Sequence, residues 1–195
     1  MELILASKSP RRIELLRELS LDPVIIPADI DESDVYAETP QQTVCELSKR
    51  KAQYVAKNNK DKLVIAADTL VFKDGVLLGK PNDRQDAYKM LESLSGTTHS
   101  VFTGFCVCYK GKTATAYAET KVTFRALSKG DIDDYINSDE PFDKAGSYGI
   151  QGAGKLFVES ITGDYFNVVG LPVCALFETI KKEFGISLKD MQQKN

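Results

Sequence analysis

The chain has 195 residues, 43% of them hydrophobic and 27% charged, the balance of a globular protein able to bury about 70% of its unfolded surface. Its 25 basic and 28 acidic residues leave a net charge of −3, which argues against a nucleic acid polymer as partner, because such binding shows as a basic surplus. No apolar run reaches the length of a membrane span, and "MELILASKSP" has an acid beside its first residue and too short an apolar stretch for a secretory signal, so the expectation is a cytoplasmic protein with no membrane partner.

In chain order, Leu3 to Ala6 reads as a buried strand. Ser9 then stands as a helix N-cap with Pro10 at the first helical position, and Ile13, Leu16 and Leu19 supply one apolar face. "PVIIP" is a second short strand. Thr39, Pro40 and Gln42 form a capping-box-like start for a helix carrying Val44, Leu47, Ala52 and Val55. "LVIAADTLVF" is a strand long enough to cross a sheet, and an Asp74-Gly75 turn folds "VLLG" back on it. The periodic set Ala87, Met90, Leu91 and Leu94 ends at Gly96, a helix with its C-terminal glycine. "HSVFTGFCVCY" and "TATAYAETKVTF", joined by "KGK", form a long hairpin. A helix from about Ser128 to Asn137, a glycine-rich loop, the strand "KLFVES" and a helix from Pro172 to Phe184 complete the chain. Strands exceed what strict alternation with helices gives, so the expected class is α/β, a mixed twisted sheet with helices on its faces.

The four cysteines, Cys45, Cys106, Cys108 and Cys174, contain no C-x-x-C pair and read as reduced, structural thiols. Cys106 and Cys108 fall on one face of their strand, at a spacing that suits neither zinc nor a disulfide. His99 is the single histidine, which excludes a multi-histidine zinc site, and it is expected at the surface or at a strand end. A metal, if used, would take oxygen ligands, which points to magnesium or manganese.

Two apolar runs, "LILAS" and "LVIAAD", end abruptly in polar residues at the carboxyl edge of a strand, where open α/β sheets bind ligands. Ser7, Ser9, Arg11 and Arg12 would then lie at a helix N-terminus suited to an anion, with the arginine forks matching phosphate oxygens. An ordinary Ser-Pro cap with two solvated arginines explains the same residues. Asp68, directly after five apolar residues, needs a partner if buried; it is either functional, a cap for Thr69, or a structural partner of a lysine. The acidic loop with Asp29, Asp31, Glu32 and Asp34 is either solvated or, with Asp68, a source of magnesium ligands. Lys51 lies on a helix at a position that could face either way, and Lys80 follows a hairpin strand. "GVLLGKP" fails as a phosphate loop on glycine spacing and on Pro81, and "GIQGAGKLF" lacks the third glycine of a dinucleotide fingerprint. "DKAGSYGIQGAG" has four glycines in twelve residues, so its backbone can approach a ligand closely. Gln151 within it either decorates a turn or reads the imide edge of a pyrimidine, since its amide both donates and accepts.

Taken together, "LASKSPRR", the Asp31-Glu32 pair, "ADT", "GKP", "SGTTHSVFTG", "ETKVTF", "DEPFDKAGSYGIQG" and "NVVGLP" resemble, in order from residue 3 to about residue 173, the Maf proteins, which are nucleoside triphosphate pyrophosphatases. The resemblance implies one Maf-like domain over residues 1–195, with two lobes around a central cleft as in the ITPase-like fold. It further implies a homodimer and a divalent-metal-dependent hydrolase that splits a nucleoside triphosphate between its alpha and beta phosphorus atoms. "SPRR", "ADT" and "YGIQG" resemble the branch acting on dTTP and UTP, with modified pyrimidine nucleotides as a further candidate class.

Carried over by position, Asp68 matches the family's proton acceptor, and Arg11, Thr69 and Gln151 match its specificity positions. Ser7, Arg12, Glu32, Lys51 and Lys80 match its other polar site positions, and Glu32 and Asp68 are the expected ligands of Mg2+ or Mn2+. Ser147 departs from the glycine or alanine of many members, a change too small to imply lost activity. Arg11, Arg12, Lys51 and Lys80 supply cations for a departing pyrophosphate, and no covalent nucleophile is required. Two alternatives stay open: a nucleotide-sensing regulatory protein linked to cell division, and a pyrophosphatase with another base preference such as 7-methyl-GTP.

Overall fold

The computed structural model describes residues 1–32, 35, 37–138 and 140–192. In chain order the regular elements are β1 (Leu3–Leu5), α1 (Pro10–Glu18), β2 (Val24–Ile25), α2 (Pro40–Ala56), β3 (Leu63–Lys73), β4 (Val76–Leu78) and α3 (Arg84–Leu94). They continue as β5 (Thr98–Tyr109), β6 (Lys112–Phe124), α4 (Lys129–Ile136), β7 (Val158–Thr162), α5 (Tyr165–Val169), α6 (Val173–Phe184) and α7 (Leu188–Gln192). The strands form a seven-stranded sheet in the order β2-β1-β3-β5-β6-β7, with β4 paired to β3. The sheet is mixed, as expected: β1 runs parallel to β2 and β3, whereas β3/β4 and β6/β7 are antiparallel. No helix is long and apolar enough to cross a membrane among the described residues.

The chain forms two compact units. The first comprises Met1–Asp68, Thr103–Ala118 and Gly170–Asn195. Here β1 and the first part of β3 are apolar at every position because parallel strands are covered on both faces. Ile4, Ala6, Val64 and Ala66 share a core with Ala52 and Val55 of α2 and with Cys106 and Cys108, whose thiols are unoxidised. Thr39 caps α2 by accepting the Gln42 N–H at 3.3 Å. α2 lies so close to β5 that a Cβ built on Gly104 would overlap the Val44 carbonyl, so glycine is required there. Ser9 occupies the N-cap of α1, but its side chain makes no capping bond; the Ser7 hydroxyl accepts the Ser9 N–H instead, at 3.2 Å.

The second unit comprises Thr69–Phe102 and Glu119–Val169. Its core joins Val71, Ala87, Leu91, Leu94, Val101 and Phe124 to the inner face of α4, through Ile132, Tyr135 and Ile136. The Asp74-Gly75 turn, both residues at positive φ, folds β4 onto β3 as the sequence predicts. α4 opens with a capping box between Ser128 and Asp131, and Arg125 holds the same aspartate at 2.8 Å. Two expectations shift. Lys155 to Phe157 form part of a 3-10 turn and the following strand is β7, Val158–Thr162, which meets β6 with a register irregularity at Thr123/Phe124. α5 and α7, five residues each, are too short to show a helical period in the sequence.

His99 is not a surface residue. It is the second residue of β5, where strand alternation turns its side chain inward, and it is 3% exposed. Its Nε2 lies 2.8 Å from the Tyr148 hydroxyl, and its ring packs edge-on to Phe124 at 5.0 Å. Burial, with a smaller contribution from the Lys73 charge, pushes its pKa down from 6.5 to about 4. The folded state therefore favours the neutral ring, and the unfolded chain takes the proton first as pH falls. Stability from this residue is complete above pH 6.5 and is lost progressively down to about pH 4, a loss of about 3 kcal/mol. Urea unfolding between pH 8 and pH 4 should show this slope in the native protein, and His99→Gln should lack it.

Candidate active site

Within the first unit, Ser7 follows the carboxyl end of β1, just after Ala6, whose N–H donates to the Ile65 carbonyl at 2.8 Å. Asp68 is not at a strand end as the sequence suggests: β3 runs on to Lys73, and Asp68 sits in mid-strand, past Ile65, the last residue of β3 paired with β1. The first turn of α1 then brings in Arg11 and Arg12. The Arg12 guanidinium is pinned twice: Nε donates to the Gly170 carbonyl at 2.7 Å and Nη1 to the Ser7 hydroxyl at 3.2 Å. Burial lowers its pKa to about 10; Asp68 and Glu32 oppose that shift, and the neighbouring Arg11 charge adds to it. The group keeps its positive charge at neutral pH.

α2 supplies Lys51, whose direction the helix period left open. Its Nζ donates to Asp68 Oδ1 at 2.6 Å and lies 3.0 Å from Glu32 Oε1, so one ammonium bridges two carboxylates from separate segments. The Lys51 and Asp68 side chains are each 13% exposed, whereas that of Glu32 is half exposed. Asp68 thus has the lysine partner that its burial demands. Ser7, Arg12, Glu32, Lys51 and Asp68 form one charged cluster, with Arg11 half-buried beside Arg12 on α1. Asp29 and Asp31 are exposed, and Asp34 lies outside the described residues. Among the described residues no group of three or more His, Cys, Asp or Glu side chains converges in a way that could hold a metal ion.

The other expected site residues belong to the second unit. Thr69 follows Asp68 on β3 and is half-buried; Lys80 is exposed after β4; Gln151 is half-buried in the glycine-rich loop. The side chains of Lys80 and Gln151 enter no hydrogen bond or ion pair among the described residues. The loop that carries Gln151 is held by two residues the sequence reading overlooked. Gly149 N–H donates to the Tyr135 hydroxyl at 3.0 Å, that hydroxyl donates to Glu140 Oε1 at 3.0 Å, and Ala153 N–H donates to Glu140 Oε2 at 2.8 Å. Ser147, just before the loop, is fully buried at φ 61, a conformation that glycine adopts without strain, and its hydroxyl lies 3.1 Å from the Met90 sulfur.

A family model described as "Maf-like protein" matches residues 2–183, and the chain belongs to that family. A dTTP/UTP pyrophosphatase of Bacillus cereus is 47% identical over 181 residues, covering 93% of this chain and 95% of the relative. A dTTP/UTP pyrophosphatase of Caldanaerobacter subterraneus is 50% identical over 189 residues, covering 95% of this chain and 91% of the relative. A solved HAM1 protein from Coxiella burnetii aligns at 18% identity and a TM-score of 0.49, over 80% of this chain and 91% of that one.

The Lys51 bridge has an energetic consequence. Replacing the lysine leaves two carboxylates facing each other without a cation, and breaking such a pair is far costlier than removing both members. Lys51→Met should lower stability by about 2–4 kcal/mol in chemical denaturation. The double variant Lys51→Met/Asp68→Asn should lose less than the two single losses added together.

Proposed function

We infer that this chain hydrolyses nucleoside triphosphates, with dTTP and UTP as its substrates, to the nucleoside monophosphate and pyrophosphate. The observation that carries the reading is the charged cluster of Arg12, Lys51, Asp68 and Glu32, in a chain that matches two dTTP/UTP pyrophosphatases over nearly its whole length. In the reaction a water oxygen bonds to the alpha phosphorus, the bridge from that phosphorus to the beta phosphate breaks, and the pyrophosphate leaves with the bridging oxygen. One carboxylate and a set of cations suit that chemistry.

Asp68 acts as general base, taking a proton from the attacking water, a role that contributes roughly 10²–10⁴-fold in rate. Lys51 holds the Asp68 carboxylate in place through its 2.6 Å bond. Arg12, oriented by Gly170 and Ser7, meets developing negative charge on the departing pyrophosphate, and Arg11 and Lys80 add further positive charge. Thr69 and Gln151, with Arg11, take the specificity roles implied by the family resemblance. Gln151 offers both a donor and an acceptor to the imide edge of thymine or uracil.

A divalent cation, Mg2+ or Mn2+, belongs to the same reading. Glu32 and Asp68 fit one: their carboxylate oxygens already converge on a single positive charge, at 3.0 and 2.6 Å from Lys51 Nζ. Magnesium commonly takes one or two carboxylates and completes its shell with substrate phosphates and water, so two protein ligands suffice. When bound, such an ion polarises phosphoryl oxygens and lowers the pKa of water. The reading is completed by a single catalytic domain over residues 1–195, a homodimer, and a place in the cytoplasm clearing nucleotides from the pool.

Incubation with single nucleotides and Mg2+ or Mn2+, followed by chromatography, tests the proposal. dTTP and UTP should yield the monophosphate and pyrophosphate in equal amounts, and Asp68→Asn should lower kcat about 10²–10⁴-fold while dTTP still binds. Release of orthophosphate contradicts the reading, and tight binding without any turnover would favour a nucleotide sensor.

A further inference from the structure

The loop around Gln151 is built in an unusual way. Gly149, Gly152 and Gly154 remove side-chain restraint from a six-residue stretch, so by itself the segment would sample many conformations. Its backbone is instead fixed by two side chains from α4 and the turn after it. The hydroxyl of Tyr135, 4% exposed, accepts the Gly149 N–H at 3.0 Å and donates to Glu140 Oε1 at 3.0 Å. The other oxygen of the same carboxylate accepts the Ala153 N–H at 2.8 Å. The two clamped amides lie two residues before and two residues after Gln151. Glycine at 152 is part of the device, because a Cβ there would overlap the Glu140 carboxylate; one at 149 would come within 2.9 Å of it.

A hydrogen-bonded clamp on both sides of one polar side chain, which itself has no protein partner among the described residues, fixes where that side chain starts without consuming its hydrogen-bonding capacity. We propose that Tyr135 and Glu140 are positioning residues for base discrimination, holding the Gln151 amide where it meets the imide edge of thymine or uracil. The inference rests on the base-reading role given to Gln151 above. A functional amide must be held within about 0.5 Å and 10–20° of its working geometry, and glycines on either side cannot do this. Cytosine is the informative contrast: it has the same ring size but reverses donor and acceptor at positions 3 and 4, so an amide oriented for thymine or uracil is mismatched against it.

The two residues differ from the catalytic cluster in the parameter they should affect. Loosening the clamp should lower kcat/KM for dTTP and leave dCTP almost untouched. Tyr135→Phe keeps the ring and removes the hydroxyl. Glu140→Gln keeps the shape but replaces one of two acceptor oxygens with a donor, while both neighbours, the Ala153 N–H and the Tyr135 O–H, are donors. Each change should lower the dTTP to dCTP ratio of kcat/KM by about five- to tenfold, the size expected for one hydrogen bond lost.

The test compares that ratio in the native protein, Gln151→Ala, Tyr135→Phe, Glu140→Gln and the double variant Tyr135→Phe/Gln151→Ala, with melting temperatures confirming that each is folded. If the clamp works through Gln151, the double variant matches Gln151→Ala alone. A ratio unchanged by Gln151→Ala overturns the base-reading role itself. A ratio that collapses in Gln151→Ala but holds in both clamp variants overturns the clamp and leaves the base reader standing, as does a double variant whose losses multiply. Should Tyr135→Phe fail to fold, Glu140→Gln carries the same comparison.

Discussion

One ammonium between two carboxylates organises the chemistry of this protein. Lys51 reaches from α2 to Asp68 at the end of a buried apolar run and to Glu32 in the loop after β2, tying three distant segments together. The contact answers a physical demand: a buried carboxylate in mid-strand, with five apolar residues before it, cannot be left without a partner. Two well-placed hydrogen bonds hold Arg12 close enough for Asp68 and Glu32 to act on its charge. A compact group of fixed charges, assembled before any ligand arrives, is the arrangement that stabilises charge developing on phosphate at little reorganisation cost.

The second unit uses different physics. Its core is aromatic, with His99, Phe124, Tyr148, Tyr135 and Phe157 meeting edge-on at centroid distances of 4.7 to 5.8 Å. Tyr135 belongs to that core by its ring and to the glycine-rich loop by its hydroxyl, so a packed helix sets the position of an otherwise pliant backbone. Charge placement in one unit and loop placement in the other are separable properties, which is why substitutions in the two should alter different kinetic parameters.

Much of this was legible in the sequence for identifiable reasons. The period of α2 and α3, the Asp74-Gly75 turn and the apolar run of β3 are local signals, and local signals survive in one dimension. The misplacement of "KLFVES" arose because three residues of that run wind into a 3-10 turn before pairing begins. His99 stands at a strand end, one of the two places expected for it, but a polar residue there carries no mark of which face it takes, so its burial was not legible. Asp68 could be singled out from its neighbours alone, but the direction of Lys51 depended on the rotation of a helix about its axis. Tyr135 and Glu140 were invisible for a deeper reason: their partners are backbone N–H groups up to fourteen residues away, which have no residue identity to read. The crowding of glycines opposite a single glutamate was the one available hint.

The central claim is that the Asp68 carboxylate, held by Lys51 and faced by Arg12, is where the triphosphate is cleaved. A crystal structure with dTTP in which an imido group replaces the bridge between the alpha and beta phosphates tests this most directly. The account predicts an ordered water within hydrogen-bond reach of Asp68, about 3 Å, and aimed at the alpha phosphorus, with Arg12 on the phosphates beyond it. A nucleotide bound with its phosphates away from Asp68, and with the Lys51 bridge untouched, would contradict it.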